Sequence, residues 1–132
     1  MEIIHFPFHM IEDDEEDTKS FLRNLELDHP EIYAALEAAL NGLKAKNWKH
    51  EWQELVDDEI IKEFGEIGIG EFRVPPDSRK RGITSRLYFC RSKYCSENII
   101  VLFGEIKNRR NSKIQIAIGR HEIYLRKYDE IG

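Results

Sequence analysis

Ile99-Ile100-Val101-Leu102-Phe103 is an unbroken apolar run within the stretch from Asn98 to Ile106, and it decides the fold expected for this chain. A strand with both faces covered lacks the apolar and polar alternation of a half-exposed strand, so the run predicts a central, doubly buried strand. Ile67 to Val74 and Ile83 to Cys90 also have strand character, and Pro75-Pro76-Asp77-Ser78 between them predicts a turn. The sequence therefore predicts three consecutive strands.

Helical patterns lie on both sides of these strands. Apolar residues recur at three- and four-residue spacing from Glu31 to Leu43 and again over residues 48–64. Residues 2–8 resemble a short strand, in which Pro7 confines the pairing to an edge or a strand end. The last segment, 112–128, alternates like a strand at first, but its long apolar helical face favours a closing helix.

Charge is divided unequally along the chain. Residues 1–70 contain six Lys/Arg and eighteen Asp/Glu, whereas residues 71–132 contain fourteen Lys/Arg and seven Asp/Glu. The net charge of −5 therefore conceals a basic C-terminal half. Such a half indicates a face that binds a polyanion, most simply nucleic acid. The acidic run 12–17 predicts the solvated start of a helix.

Composition restricts the class of protein. With 41% hydrophobic and 34% charged residues, we expect residues 1–132 to form one domain, with a strand and helices in 1–64 and three strands and a helix in 65–132. The start of the chain lacks the features of a signal peptide, and no apolar run reaches the roughly 20 residues of a membrane helix. Cys90 and Cys95 are too few for a disulfide framework. We expect a cytoplasmic protein.

Four segments carry motifs in a particular order: Gly70-Glu71-Phe72-Arg73, Arg86-Leu87-Tyr88-Phe89, Leu102 to Lys107, and residues 112–128 with Ala117 and Arg120. In this order they resemble the strands and closing helix of RelE/HigB-type toxins, in the phage-derived, HigB-like branch of the RelE/ParE superfamily. The resemblance covers about residues 65–128, and the N-terminal helices by order only. It implies an α+β fold: a twisted, mainly antiparallel sheet with N-terminal helices packed on it and a short C-terminal helix.

The resemblance also implies a function. Members are mostly toxins of type II toxin–antitoxin pairs that cleave mRNA on the ribosome without a metal or other cofactor. The 2′-OH of a ribose would attack the neighbouring phosphate, and guanidinium groups would stabilise the charge that develops there. The implied partners are mRNA on the ribosome and an antitoxin, expected to be of helix-turn-helix type, with no membrane and no small-molecule cofactor.

The candidate site residues are basic or able to transfer a proton. The catalytic candidates are Arg73, Arg86, Lys107, His121 and Tyr124, of which the last two are candidates for proton transfer. The RNA-binding candidates are Arg79, Lys80, Arg81, Arg109, Arg110 and Lys113. Strand alternation places Arg73 on the same face as Glu71, and Arg86 on the same face as Tyr88. Glu71 is therefore a candidate partner that positions Arg73.

Two departures from the family pattern leave the activity open. The pattern has an arginine three residues before the tyrosine, and that position is Ser85 here, so either a bulge restores Arg86 or the catalytic arginine is missing. The basic stretch after the third strand, Arg109 to Ser112, lacks the usual proline. The alternatives are a catalytically inactive relative that binds nucleic acid or protein, and a gyrase-directed toxin on the same fold.

Overall fold

A computed structural model describes residues 1–5, 18–76, 83–93, 95–108 and 112–131, with the backbone alone for 108 and 127–131. The predicted helix start at 12–17 lies outside these residues. The elements are β1 (Ile3–His5), α1 (Thr18–Asp28), α2 (Pro30–Leu43), α3 (Trp48–Asp57), β2 (Ile61–Phe64), β3 (Ile69–Val74), β4 (Ile83–Arg91), β5 (Ile99–Asn108) and α4 (Ile114–Ile131).

The strands form one five-stranded mixed sheet in the order β1-β5-β4-β3-β2. The pairings between β2, β3, β4 and β5 are antiparallel, and β1 runs parallel to β5. The α+β class is thus confirmed. The prediction for the apolar run is also confirmed, because β5 lies between β1 and β4 and the four side chains from Ile99 to Leu102 are fully buried.

The strand β2 differs from the sequence prediction, which continued a helical pattern through residues 48–64. Helix α3 ends at Asp57, and Glu59 adopts a φ of 63°. This left-handed conformation is incompatible with a right-handed helix, so the helix cannot extend through Glu59. The backbone N–H of Arg73 then donates to the Ile60 carbonyl, at 2.7 Å, next to the start of the β2–β3 pairing. Four consecutive strands therefore replace the three that were predicted.

The closing helix also differs from expectation in its length. Helix α4 has 18 residues and is the longest helix in the described part of the chain, so the expectation of a short C-terminal helix was wrong. Its residues Ala117, Arg120 and Tyr124 are buried against the sheet, whereas Leu125 is 45% exposed. An arginine thus occupies a core position of this helix.

Helices cover both faces of the sheet. The face covered by α1, α2 and α3, termed the three-helix face, contains Phe72, Leu87, Phe89, Ile99 and Val101. The face covered by α4, termed the α4 face, contains Ile69, Tyr88, Cys90, Ile100 and Leu102. The candidate site residues are described below relative to these two faces.

A β-bulge interrupts the pairing of β4 with β5. Tyr88 pairs with Phe103, but the next residue, Phe89, pairs with Val101. Leu102 is therefore an extra residue on β5, opposite no residue of β4. Both Leu102 and Phe103 belong to the apolar cluster of the α4 face.

The bulge changes which residues of β5 point to which face. Before it, Ile99 and Val101 belong to the three-helix face. After it, Phe103 lies on the α4 face, and a Cβ on Gly104 would overlap the ring of Phe21 in α1. The odd-numbered residues after the bulge thus lie on the α4 face, opposite to the odd-numbered residues before it.

Candidate nucleic-acid interface

Three strands meet at one end of the sheet. The register pairs Val74, at the end of β3, with Ser85 near the start of β4, and pairs Ile83 with Asn108 at the end of β5. The α4 face at this end is termed the cationic end. It is formed by Arg73, Arg86, Lys107, Glu71 and Glu105.

Arg73 and Arg86 lie directly opposite each other on β3 and β4. Like charges in this position repel and destabilise a sheet. The carboxylate of Glu71 offsets the repulsion, because its Oε1 lies 3.4 Å from Arg73 Nε and its Oε2 lies 3.1 Å from Arg86 Nη1. Glu71 is 1% exposed, while the two arginine side chains are 22% and 18% exposed. The expectation that Glu71 is the partner of Arg73 is confirmed, and the structure adds Arg86.

The arginine pair keeps positive charge and donors that Glu71 does not satisfy. Two guanidinium groups share one carboxylate, and among the described residues its hydrogen bonds come from Arg86 Nη1 alone, at 3.1 and 3.3 Å. The Nε atoms of Arg73 and Arg86 are buried and have no hydrogen-bond partner among the described residues. Each guanidinium has five N–H donors in a planar fork that matches carboxylate or phosphate oxygens. Because the two side chains are 22% and 18% exposed, the N–H groups that solvent reaches can bind a further anionic group.

Glu105 lies opposite Arg86 on β5, but its carboxylate is bound elsewhere. Its Oε2 accepts hydrogen bonds from the Tyr88 hydroxyl, at 2.8 Å, and from the backbone N–H of Lys113, at 2.9 Å. The Ser112 hydroxyl lies 3.3 Å from the Tyr88 hydroxyl. Burial is the main cause that raises the pKa of Tyr88, so its phenol remains a neutral donor. These contacts hold the start of α4 on the cationic end.

Lys107 belongs to the cationic end because of the bulge. It pairs with Thr84 across β4 and β5, two positions beyond the pairing of Arg86 with Glu105. Residues two apart on a strand point to the same face, so Lys107 shares the α4 face with Arg86. The side chain of Lys107 is partly exposed.

Arg86 lies on the face of Tyr88 without any irregularity between the two residues. The register shift of β4 lies further on, between Tyr88 and Phe89. Ser85 lies on the three-helix face, where its hydroxyl donates to the Val74 carbonyl at 2.8 Å. The two-residue spacing therefore places Arg86 on the α4 face, and no bulge between Ser85 and Tyr88 moves it to the face of Ser85.

His121 and Tyr124 lie at the other end of the sheet. His121 packs beside the β2–β3 turn, where a Cβ on Gly68 would be 3.0 Å from its Cε1, and burial lowers its pKa. The fully buried Tyr124 accepts a 2.8 Å hydrogen bond from the Lys93 backbone, beyond the end of β4. Ile69, at the end of β3 near His121, is four residues from Arg73. A strand rises about 3.3 Å per residue, so the two ends are about 13 Å apart along β3. The structure therefore does not bring these two candidates to the arginine pair.

The remaining RNA-binding candidates are only partly described. Lys113 is exposed at the start of α4, beside the cationic end. Arg79, Lys80, Arg81, Arg109 and Arg110 lie outside the described residues. Within the described ranges, no group of three His, Cys, Asp or Glu side chains is placed to hold a metal ion.

Sequence reasoning overlooked Glu105 as a site residue. Its signal is a carboxylate within the apolar strand Leu102 to Ile106, since a buried acidic side chain requires donors nearby. The sequence indicated for Tyr88 only that it lies on the same strand face as Arg86. The structure makes it the donor that links β4 to Glu105.

Comparison with protein-family models, curated proteins and solved structures found no match to this chain. None of the helices in the described ranges has the length and apolar character needed to cross a membrane. The function is therefore inferred from the geometry of the cationic end and from the motif order.

Proposed function

We propose that this protein is the toxin of a type II toxin–antitoxin pair and that it binds mRNA on the ribosome through the cationic end. One observation carries the proposal: Arg73 and Arg86 lie directly opposite each other and share one carboxylate, that of the buried Glu71. The one carboxylate balances only one of the two positive charges, so the pair retains a net positive charge that attracts an anionic ligand. Phosphate oxygens suit the solvent-exposed N–H groups of these arginines, and Lys107 lies on the same face.

The order of the motifs extends the proposal to a RelE/ParE-like fold and to cleavage of the bound mRNA. In such a reaction the ribose 2′-OH attacks the adjacent phosphate, and the arginine pair stabilises the negative charge that builds up on the phosphate oxygens. The proposal includes a cytoplasmic location, a helix-turn-helix antitoxin as partner and no cofactor.

A second candidate function is RNA binding without cleavage. The position of His121 and Tyr124 favours it, because neither reaches the arginine pair and the reaction requires a proton acceptor and a proton donor. Tyr88 is fully buried, and its hydroxyl already donates to Glu105. Under the first proposal, the ribosome or a residue outside the described ranges supplies the proton transfer.

Expression in a bacterial host tests the toxin function. We expect the wild-type protein to arrest growth and to produce new mRNA 5′ ends within translated codons, and Arg73→Ala or Lys107→Ala to abolish both effects. Lys46→Ala is the matched control, since it removes one charge from an exposed position between α2 and α3. Normal growth under strong expression of the wild-type protein would contradict the toxin proposal.

RNA binding in vitro separates the two candidates. Affinity for a short single-stranded RNA, measured at several salt concentrations, should fall with salt, with a slope of about 0.7 for each phosphate contact. Salt-dependent binding with no cleavage product, with or without ribosomes, would support the second candidate. Absence of binding at low salt would count against both, and inhibition of supercoiling would instead indicate a gyrase-directed toxin.

A further inference from the structure

Arg120 is the largest fully buried side chain of the described residues. It lies on α4 between Ala117 and Tyr124, with 1% of its surface exposed. Its Nη1 donates a 2.7 Å hydrogen bond to the carbonyl of Leu102, the extra residue of the β5 bulge. A buried guanidinium is costly unless it is bound to polar groups, so its position requires an explanation beyond packing.

Arg120 contacts both residues that the bulge turns toward α4. Besides its bond to Leu102, its guanidinium carbon lies 5.3 Å from the centroid of the Phe103 ring. Such a contact between a cation and an aromatic ring is stabilising, particularly where water is excluded. Phe103 in turn stacks on Tyr88, with the ring planes 8° apart. Arg120 is thus placed to hold the backbone of the bulge and the ring that follows it.

The bulge decides whether Lys107 belongs to the cationic end. Val101 lies on the three-helix face, and in a regular strand every second residue after it would lie on that face too. Lys107 is six residues after Val101 and would then point away from Arg73 and Arg86. The extra residue, Leu102, moves Glu105 and Lys107 to the α4 face.

We propose that Arg120 is a positioning residue for the cationic end: by fixing the bulge at Leu102, it places Lys107 on the face of the arginine pair. Its role in RNA binding rests on the proposed function, whereas its role in placing Lys107 does not. Arg120 itself contacts no RNA, since its side chain is enclosed between α4 and the sheet.

The first test measures the coupling of Arg120 to Lys107 in RNA binding. Arg120→Met removes the donor, and we expect it to reduce the salt slope for a single-stranded RNA as much as Lys107→Ala does, by about 0.7. The double variant should lose no more than either single variant. Arg120→Lys, which keeps a donor for the Leu102 carbonyl, should retain the wild-type slope. Independent, additive losses in the double variant would overturn the proposal.

The second test needs no RNA. Nuclear Overhauser contacts between the side chains of Thr84 and Lys107, which pair across the strands, should be present in the wild-type protein. Arg120→Met should lose them while keeping the contacts between Glu71 and Tyr88, and Arg120→Lys should restore them. If the wild-type protein binds no RNA but this pattern holds, the proposed function fails and the positioning role stands. Unchanged Thr84–Lys107 contacts in Arg120→Met would overturn that role.

Global unfolding of Arg120→Met is checked by circular dichroism. If that variant does not fold, both tests are repeated with the stabilising helix substitution Gly119→Ala added, whose Cβ meets nothing within 4 Å. A protein that is still unfolded in this background would overturn the proposal. Arg120 would then serve the stability of the whole fold and not the placement of Lys107.

Discussion

The hydroxyl of Tyr88 donates a 2.8 Å hydrogen bond to Oε2 of Glu105, the same oxygen that accepts the backbone N–H of Lys113. One buried carboxylate thereby joins the middle of β4 to the start of α4. The contribution of this contact to stability can be measured, because a Tyr88→Phe substitution removes the hydroxyl and keeps the ring.

Tyr88→Phe should lower the free energy of unfolding by about 1–3 kcal/mol, because it leaves a buried carboxylate with one donor fewer. The stacking of this ring on Phe103 is kept. Urea denaturation measures the change. Tyr33→Phe is the control, since Tyr33 is only half-buried, and a change within about 0.5 kcal/mol is expected there. Equal losses in the two variants would contradict the assigned role of Glu105.

Glu71→Gln should lower the free energy of unfolding by about 2 kcal/mol. This is less than the roughly 3–5 kcal/mol lost when a fully buried ion pair is broken, because solvent reaches both guanidinium groups. The loss should shrink at high salt, which screens the repulsion between Arg73 and Arg86. Adding Arg73→Gln should recover part of the stability by removing one of the opposed charges. Urea denaturation at two salt concentrations measures these effects, and a neutral Glu71→Gln would contradict them.

Two glycine substitutions should have opposite signs. Gly119→Ala should raise the free energy of unfolding by about 1 kcal/mol, because the site is helical and a Cβ there meets nothing within 4 Å. Gly104→Ala should lower it by about 1–3 kcal/mol, because the added Cβ would overlap the ring of Phe21. Thermal denaturation of both variants measures the difference. A stable Gly104→Ala protein would contradict the packing of α1 on β5.

His121 should make stability depend on pH. Burial lowers its pKa in the folded protein, so the unfolded chain binds the proton more readily below pH ~6.5. The free energy of unfolding should therefore fall as the pH is lowered from about 7.5 through the unfolded pKa toward the folded one. His121→Gln should flatten this dependence. Urea titrations at pH values in this window provide the measurement.

The two cysteines should differ in reactivity. Burial raises the pKa of Cys90 to about 12, whereas Cys95 is exposed. Because the thiolate is the reactive form, iodoacetamide should modify Cys95 alone in the folded protein and both thiols in urea. Mass spectrometry of the modified protein measures this. Labelling of a folded Cys95→Ser variant would contradict the burial of Cys90.

The strands with a local apolar pattern were predicted correctly from the sequence. Strand β2 was not, because its apolar residues continue the helical spacing of α3. The apolar run of β5 indicated a central strand because few other environments suit it. Residues 48–64 keep apolar side chains at helical spacing, so Ile61–Phe64 gave no sign of a strand. What ends α3 is the left-handed conformation of Glu59, and glutamate does not signal that conformation in a sequence.

The candidate site was predictable only where it depends on alternation. The partnership of Glu71 with Arg73 followed from their two-residue spacing on one strand. The bulge at Leu102 did not, because an unbroken apolar run reads the same in either phase of the strand. Arg120 bonds to the Leu102 carbonyl at that bulge, so its buried position too lay beyond what the pattern could indicate.

The parallel pairing of β1 with β5 joins parts of the chain that are synthesised far apart in time. The N–H of Glu2 bonds to the side chain of Asn98, a separation of 96 residues. Loop-closure entropy makes such distant pairings slow to form. β5, which contributes Lys107 to the cationic end, is also the strand with which β1 pairs. β1 therefore cannot join the sheet before β5 has been synthesised. A nascent chain would complete the cationic end only after β5 had been synthesised.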